Sequence, residues 1–386
     1  MIMSTDLKIS NQIKELPKGW KIRSLEELCD VIMGQSPPSD SYRKEFGGLP
    51  FFQGKTDFGE FNPLASTWCT CPIKIAEPGD ILICVRAPVG PTNMATEKCC
   101  IGRGLAAIRP KAGTSISFIL FALRLFENDL VRRGSGSTFS AISRADLCSL
   151  KIPTPDSIEQ KRIATNLEQC LSYVRAARIA AEAQLEAAKA LPTAYLRSSL
   201  TGGKLKKYHL SDCLLEVKNG VGTEWAKYPV LGATRAGLAP AKDPVGKTPE
   251  RYKLADHGTV FYNPMRILLG SIAMVDHCDE PGITSPDYVV VKGKPKILDT
   301  RWFYYFFRST MGEHLIKTLV RGAVRERILF KRLAKGEIEL PPWETQVKLS
   351  NQMYKARDLI KPIEDRIKEI EALPAKYLKM AFNGEF

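Results

Sequence analysis

Ile152-Pro-Thr-Pro-Asp-Ser-Ile-Glu-Gln160 and Leu340-Pro-Pro-Trp-Glu-Thr-Gln346 state one short motif twice. Pro155 stands to Pro341 as Gln160 stands to Gln346, at one spacing, and a long stretch of helical patterning follows each copy. The two stretches also close alike, with Ala190-Leu-Pro-Thr-Ala-Tyr195-Leu-Arg before Leu200-Thr-Gly202 and Ala372-Leu-Pro-Ala-Lys-Tyr377-Leu-Lys before Phe382-Asn-Gly384. Solenoid periods run from about 20 to 50 residues, so a repeat this long reads as a duplicated domain plus helix. The expected order is a globular domain over 1–154, a helical spacer over 155–203, a second globular domain over 204–341 and a second spacer over 342–386. The fold class is α+β, with a pseudo-two-fold repeat.

Both helical stretches carry an apolar seam. In the first, Ile163, Leu167, Val174 and Ala181 lead a seven-residue pattern that only Gln184 interrupts; in the second, Leu349, Met353, Ile360, Ile363, Ile367 and Ile370 follow the 3-4 spacing of a coiled coil. Each stripe needs a partner helix, and the repeat supplies one if the helices run antiparallel. Pro192 and Pro374 occupy matching places near the far ends, where each helix is expected to kink or restart, and Pro362 predicts a bend in the second helix alone.

The globular stretches show strand-like runs in matching order, Pro78–Val85 with His257–Tyr262 and Leu105–Ile108 with Tyr288–Val291. An apolar helix follows in each, through Phe118-Ile-Leu-Phe-Ala-Leu and Trp302-Phe-Tyr-Tyr-Phe-Phe. The aromatic run reads as the buried face of a helix on a sheet, because its position matches the aliphatic copy. Beyond each helix a basic loop is expected, Arg132-Arg-Gly-Ser-Gly-Ser137 and Arg321-Gly-Ala-Val-Arg325-Glu-Arg327. Guanidinium forks, hydroxyls and free backbone N–H groups are what hold phosphates and read guanine edges. Arg132, Arg133, Ser137, Arg321, Arg325 and Arg327 are therefore candidate DNA contacts, with Lys55, Arg86, Arg103, Arg235 and Arg266 as further basic candidates.

The net charge of +14 over 386 residues favours a polyanionic partner. The excess of Lys and Arg falls on 1–155 and 202–342, whereas the helical stretches are nearly balanced. No run approaches a membrane span and Met1-Ile-Met-Ser-Thr-Asp-Leu-Lys lacks a signal-peptide core, so a cytoplasmic protein without a membrane partner is expected. The ten cysteines include no Cys-x-x-Cys pair. Cys69, Cys71, Cys99 and Cys100 are poorly spaced for zinc and read as buried thiols, so no metal ligands are assigned. No phosphate-binding loop of the Gly-x-x-x-x-Gly-Lys type appears, and four histidines supply a His-based site poorly. Asn263-Pro-Met-Arg266 lacks the second proline and the aromatic of the adenine-methyltransferase motif, and the glycine loop for S-adenosylmethionine is absent. No catalytic residue is assigned.

The helix-start motif at 153–160, the repeated Leu-Pro-x-x-Tyr close and the order domain, helix, domain, helix resemble the specificity subunit of type I restriction-modification systems, from Leu16-Pro-Lys-Gly-Trp20 to Phe386. Thr345 replaces the Glu that precedes Gln in the first copy. The resemblance implies two target-recognition domains, each reading half of a split sequence in double-stranded DNA. It further implies that the helices act as a ruler and as docking surface for two methyltransferase subunits. S-adenosylmethionine, ATP and Mg would then be used by those subunits and by the restriction-translocase subunits that join them, with no cofactor in this chain. A self-contained methyltransferase-specificity fusion would need a cofactor loop here, and a coiled-coil scaffold would not need basic globular halves.

The ruler is testable. Continuous helix from 160 to 191 would extend roughly 47 Å at about 1.5 Å per residue, or about 14 base pairs at roughly 3.4 Å each, so the target should be two half-sites around an unread spacer. Four residues inserted after Ala181 keep the seam nearly in phase and add up to about 6 Å. Methylome mapping of that variant should show unchanged half-sites with a spacer longer by a base pair or two. A changed half-site with the original spacer would refute the ruler.

Overall fold

The computed structural model describes residues 16–134, 141–201, 203–320 and 327–386, which form two compact units: the described residues up to 180 with 367–386, and those of 181–366. Both are built on one plan. In the first, an antiparallel sheet runs in the order Cys29–Met33, Leu105–Pro110, Ile81–Cys84, Thr92–Met94. In the second the order is Leu214–Val217, Val289–Gly293, Thr259–Tyr262, Ile272–Val275. Matching sequence runs thus become matching strands.

The strand Ile81–Cys84 is buried at every position because both faces of the sheet are covered. Successive side chains point to opposite faces, so Ile81 and Ile83 join the core containing Phe118, whereas Leu82 and Cys84 join a second core with Phe52 and Ile101. The second unit repeats the division: Val260 and Tyr262 pack with Trp302, and Phe261 packs on the other face with Ala273 and Val275. The helix Thr300–Phe307 buries Trp302, Phe303, Phe306 and Phe307, so its aromatic run is core and offers no stacking platform. Trp302 also donates its indole N–H to Ser199 Oγ at 3.0 Å, satisfying the one polar atom it buries.

A two-stranded ribbon closes each unit, Lys21–Ser24 against Lys151–Thr154 and Lys206–His209 against Glu337–Leu340. The repeated motif leaves this ribbon and enters the long helices, Ser157–Thr201 and Trp343–Phe382. Gln160 is buried at the junction, where its amide N–H donates to the Pro155 carbonyl at 3.0 Å and its Oε1 accepts from the Ser115 N–H at 2.9 Å. Ser115 is the residue that caps the helix Ile116–Leu125. Gln346 does the same with the Pro341 carbonyl at 2.9 Å and the Asp299 N–H at 2.9 Å, and adds the Ile297 carbonyl at 3.0 Å; Asp299 caps the helix Thr300–Phe307.

In each unit the start of one long helix lies with the end of the other, which makes the pair antiparallel. Ile163 and Leu167 share a core with Tyr377, Leu378, Ala381 and Phe382, and Leu196 shares one with Leu349 and Met353. Val174 and Ala181 are buried, and Ile360, Ile363, Ile367 and Ile370 are half-buried. Ala177, which the heptad places on the seam, is exposed. Both helices continue through Pro192, Pro362 and Pro374, so neither restarts at the proline near its far end. A proline costs an interior helix about 3 kcal/mol through one missing donor and one displaced carbonyl. Burial of Leu196 and Ser199 offsets this beyond Pro192, and burial of Ala381 and Phe382 does so beyond Pro374. Pro362 and Asp358, whose carbonyl the ring displaces, both face water.

Gln160→Ala should destabilise the first unit by about 2–3 kcal/mol, because it strands a half-buried N–H and a buried carbonyl, each costing about 1–3 kcal/mol. Gln346→Ala, which removes three hydrogen bonds, should cost at least as much to the second unit. Urea unfolding against the exposed control Gln169→Ala checks this, and a loss below about 0.5 kcal/mol would refute the role.

Candidate nucleic-acid interface

At one end of the first unit's sheet, four loops meet around Gly104. The Val85 N–H donates to the Gly104 carbonyl at 2.9 Å, the Gly102 N–H to the Phe52 carbonyl at 2.8 Å, and the Arg103 N–H to Ser36 Oγ at 3.3 Å. A Cβ at Gly104 would stand 2.0 Å from the Gln53 carbonyl oxygen, so only glycine permits this approach. Asp57 closes the loop that carries Lys55, accepting from the Gln53 N–H at 2.6 Å. The structure thereby brings Lys55, Arg86 and Arg103, all exposed, to one loop cluster. Glu127 lies beneath it against Gly90; burial raises its carboxyl pKa, while Lys55 and Arg124 pull the other way.

Arg132 and Arg133 do not belong to a loop. They end the helix Glu127–Arg133, where Arg132 pairs with Asp129 at 3.7 Å. Arg133 donates to the Asp146 carbonyl at 3.0 Å and to Ser149 Oγ at 2.9 Å, fastening the last turn of the helix Arg144–Cys148. Ser137 lies outside the described residues. Beyond that gap, Arg86 bridges to Ala141 and the Ile142 N–H donates to the Val85 carbonyl at 2.9 Å, so the chain returns to the same loop cluster.

The second unit repeats this return. The Ile328 N–H donates to the Pro264 carbonyl at 3.1 Å and the Ile328 carbonyl accepts from the buried Tyr262 hydroxyl at 3.0 Å. Arg321 and Arg325 lie outside the described residues, while Arg327 pairs with Asp287 at 3.4 Å. Arg266 is exposed on the loop between Tyr262 and Ile272, and Arg235 is exposed in the hairpin turn joining Leu231–Thr234 to Gly237–Pro240. Ser271 ties turn and loop together by donating to the Ala233 carbonyl at 2.8 Å. Arg235, Arg266 and Arg327 thus gather around one loop, as Lys55, Arg86 and Arg103 do in the first unit. The exposed apolar side chains beside them, Met265, Leu268 and Leu269, carried no signal in the sequence.

Asn263 is occupied structurally, its Oδ1 accepting from the Met265 N–H at 2.9 Å to close a turn. Cys69, Cys99 and Cys100 are buried and Cys71 is exposed. Burial pushes the thiols of Cys99 and Cys100 up to about 12, which keeps them neutral. Among the described residues no group of three or more His, Cys, Asp or Glu side chains is placed to hold a metal ion, and no helix is long and apolar enough to cross a membrane.

A loop cluster on a double-faced sheet, fastened to a long helix and built twice, is the frame of a recognition domain. Residues 17–186 match the family described as the type I restriction modification DNA specificity domain. Over 182 residues it is 42% identical to the putative type I restriction enzyme MjaX specificity subunit of Methanocaldococcus jannaschii, covering 46% of this chain and 43% of that one. It is 22% identical over 419 residues to the type I restriction enzyme EcoKI specificity subunit of Escherichia coli, covering 96% of this chain and 90% of that one. Among solved structures it is similar to the HsdS subunit from Thermoanaerobacter tengcongensis, at 48% identity over 43% of this chain and 41% of that chain, with a TM-score of 0.40. The chain spans less than half the length of the first of these relatives.

Arg133→Ala should lower stability without changing the salt dependence of DNA retention. Arg86→Ala with Arg103→Ala should leave stability intact and make that dependence shallower by roughly one unit for each phosphate no longer neutralised. Retention measured at several salt concentrations, alongside thermal unfolding, separates the two. The opposite assignment of effects would overturn this division.

Proposed function

We propose that this chain is the DNA sequence-specificity subunit of a type I restriction-modification complex, in which each globular half reads one half of a bipartite duplex target. The observation that carries the reading is the duplicated loop cluster: one scaffold, fastened by Gln160 or Gln346, presents a different set of basic side chains in each half. Direct readout needs a rigid frame with variable loops, since phosphate contacts fix register and base-edge contacts carry the sequence. A basic excess on the globular stretches and balanced helices agree with DNA on the former and protein on the latter.

On this reading the chain catalyses nothing and holds no cofactor. Two methyltransferase subunits dock on the antiparallel helices and use S-adenosylmethionine, and restriction-translocase subunits that use ATP and Mg complete the assembly. The closed turn around Asn263 supports this, because its amide oxygen is already committed to the backbone. The expected outcome is that the purified chain shows no micromolar binding of S-adenosylmethionine by calorimetry. Co-expressed with its methyltransferase subunits, it should direct methylation to one split target, mapped in the host genome with and without this gene. Methylation by the chain alone, or an identical methylome without it, would overturn the assignment.

A further inference from the structure

The two halves differ most in chemistry where their scaffolds agree. After the strand Ile81–Cys84 the first half turns through Arg86-Ala87-Pro88, whose exposed apolar residues are the small Ala87 and Pro88; after Thr259–Tyr262 the second half projects a longer loop. Met265 is 55% exposed on it, Leu269 71% and Leu268 39%. Such side chains in water forgo the burial that ordinarily stabilises them. The loop is nevertheless rigid. Asn263 bonds the Met265 N–H, the Arg266 N–H donates to the Asn263 carbonyl at 3.0 Å, the Ser271 N–H donates to the Arg266 carbonyl at 3.2 Å, and buried Ile267 anchors the middle. Gly270 closes it at φ 80°, in the left-handed region. The apolar side chains are thus pre-positioned, which lowers the ordering cost of binding. Two exposed guanidinium groups, Arg266 and Arg235, flank them.

Charge on both flanks suits a polyanion, but most of a DNA groove would leave the apolar residues facing polar edges. The exception is the thymine 5-methyl, the one apolar group displayed in the major groove. Resting on the specificity-subunit reading above, we propose that Met265 and Leu269 recognise a thymine methyl in the half-site read by the second half, while Arg266 and Arg235 hold the adjoining phosphates. The second half would then discriminate an A·T pair by shape at one position.

The test uses the full chain assembled with its methyltransferase subunits, on a duplex carrying the methylome-defined target. Each thymine of the target is replaced in turn by deoxyuridine, which removes only the methyl. One position is expected to lose affinity about fourfold, the value of one buried methyl. The double variant Met265→Ser, Leu269→Ser should bind the thymine and uracil duplexes equally while still discriminating the other half-site. The proposal is overturned if no thymine is sensitive, or if the variant keeps the uracil penalty. It is equally overturned if the variant sheds methyltransferase subunits with its base preferences intact, for the patch is then a protein-binding surface. Wild-type assembly that fails on the unmodified target would instead fell the functional reading, and that control comes before any variant.

Discussion

One primary amide, used twice, holds each half together. A glutamine side chain has an acceptor and two donors at the end of a short stem, and Gln160 spends them on two segments at once. Its oxygen takes the N–H of Ser115, at the cap of the apolar helix, and its nitrogen gives to the Pro155 carbonyl, where the ribbon ends. Strand, apolar helix and long helix are thereby fixed at one buried point. Gln346 does the same with Asp299 and Pro341. The carbonyl of the proline five residues before each glutamine accepts from that amide. Wherever the loops of a half are placed, they are placed relative to this joint.

The repeat made the architecture legible. Matching strands, buried aromatic helices and antiparallel long helices all follow from patterns of two and of seven, which are local and survive without tertiary information. What stayed hidden depends on distant partners. Nothing near Arg133 in sequence announces that it serves Asp146 and Ser149, and nothing in Pro192 reveals that the helix will run on through it to the buried Leu196 and Ser199. Arg86 and Arg103 read as scattered charges until Gly104 brings their loops together. The glutamine pair was visible as a motif, but its meaning lay in two caps far away in the chain.

Duplication also explains how the halves diverge. The faces of the sheet are both committed to cores, and the ribbon and glutamine joint are committed to the long helices, so change is tolerated mainly at the loop end. There the first half keeps a short turn over a half-buried glutamate and the second carries a rigid apolar projection. A shared frame with different loop length and chemistry is what the proposed reading of two unlike half-sites requires, and it needs change only in the loops.

The first unit is assembled from two stretches of chain between which the whole of the second unit is made. Its core encloses Phe118 and Phe126 around Phe382, with Trp20 edge-on to the same ring. A ribosome releases the strands and apolar helix of that unit long before it reaches Phe382, so the nascent domain waits with an open apolar socket while the second unit, contiguous in sequence, can already close. The half translated first is therefore the half completed last.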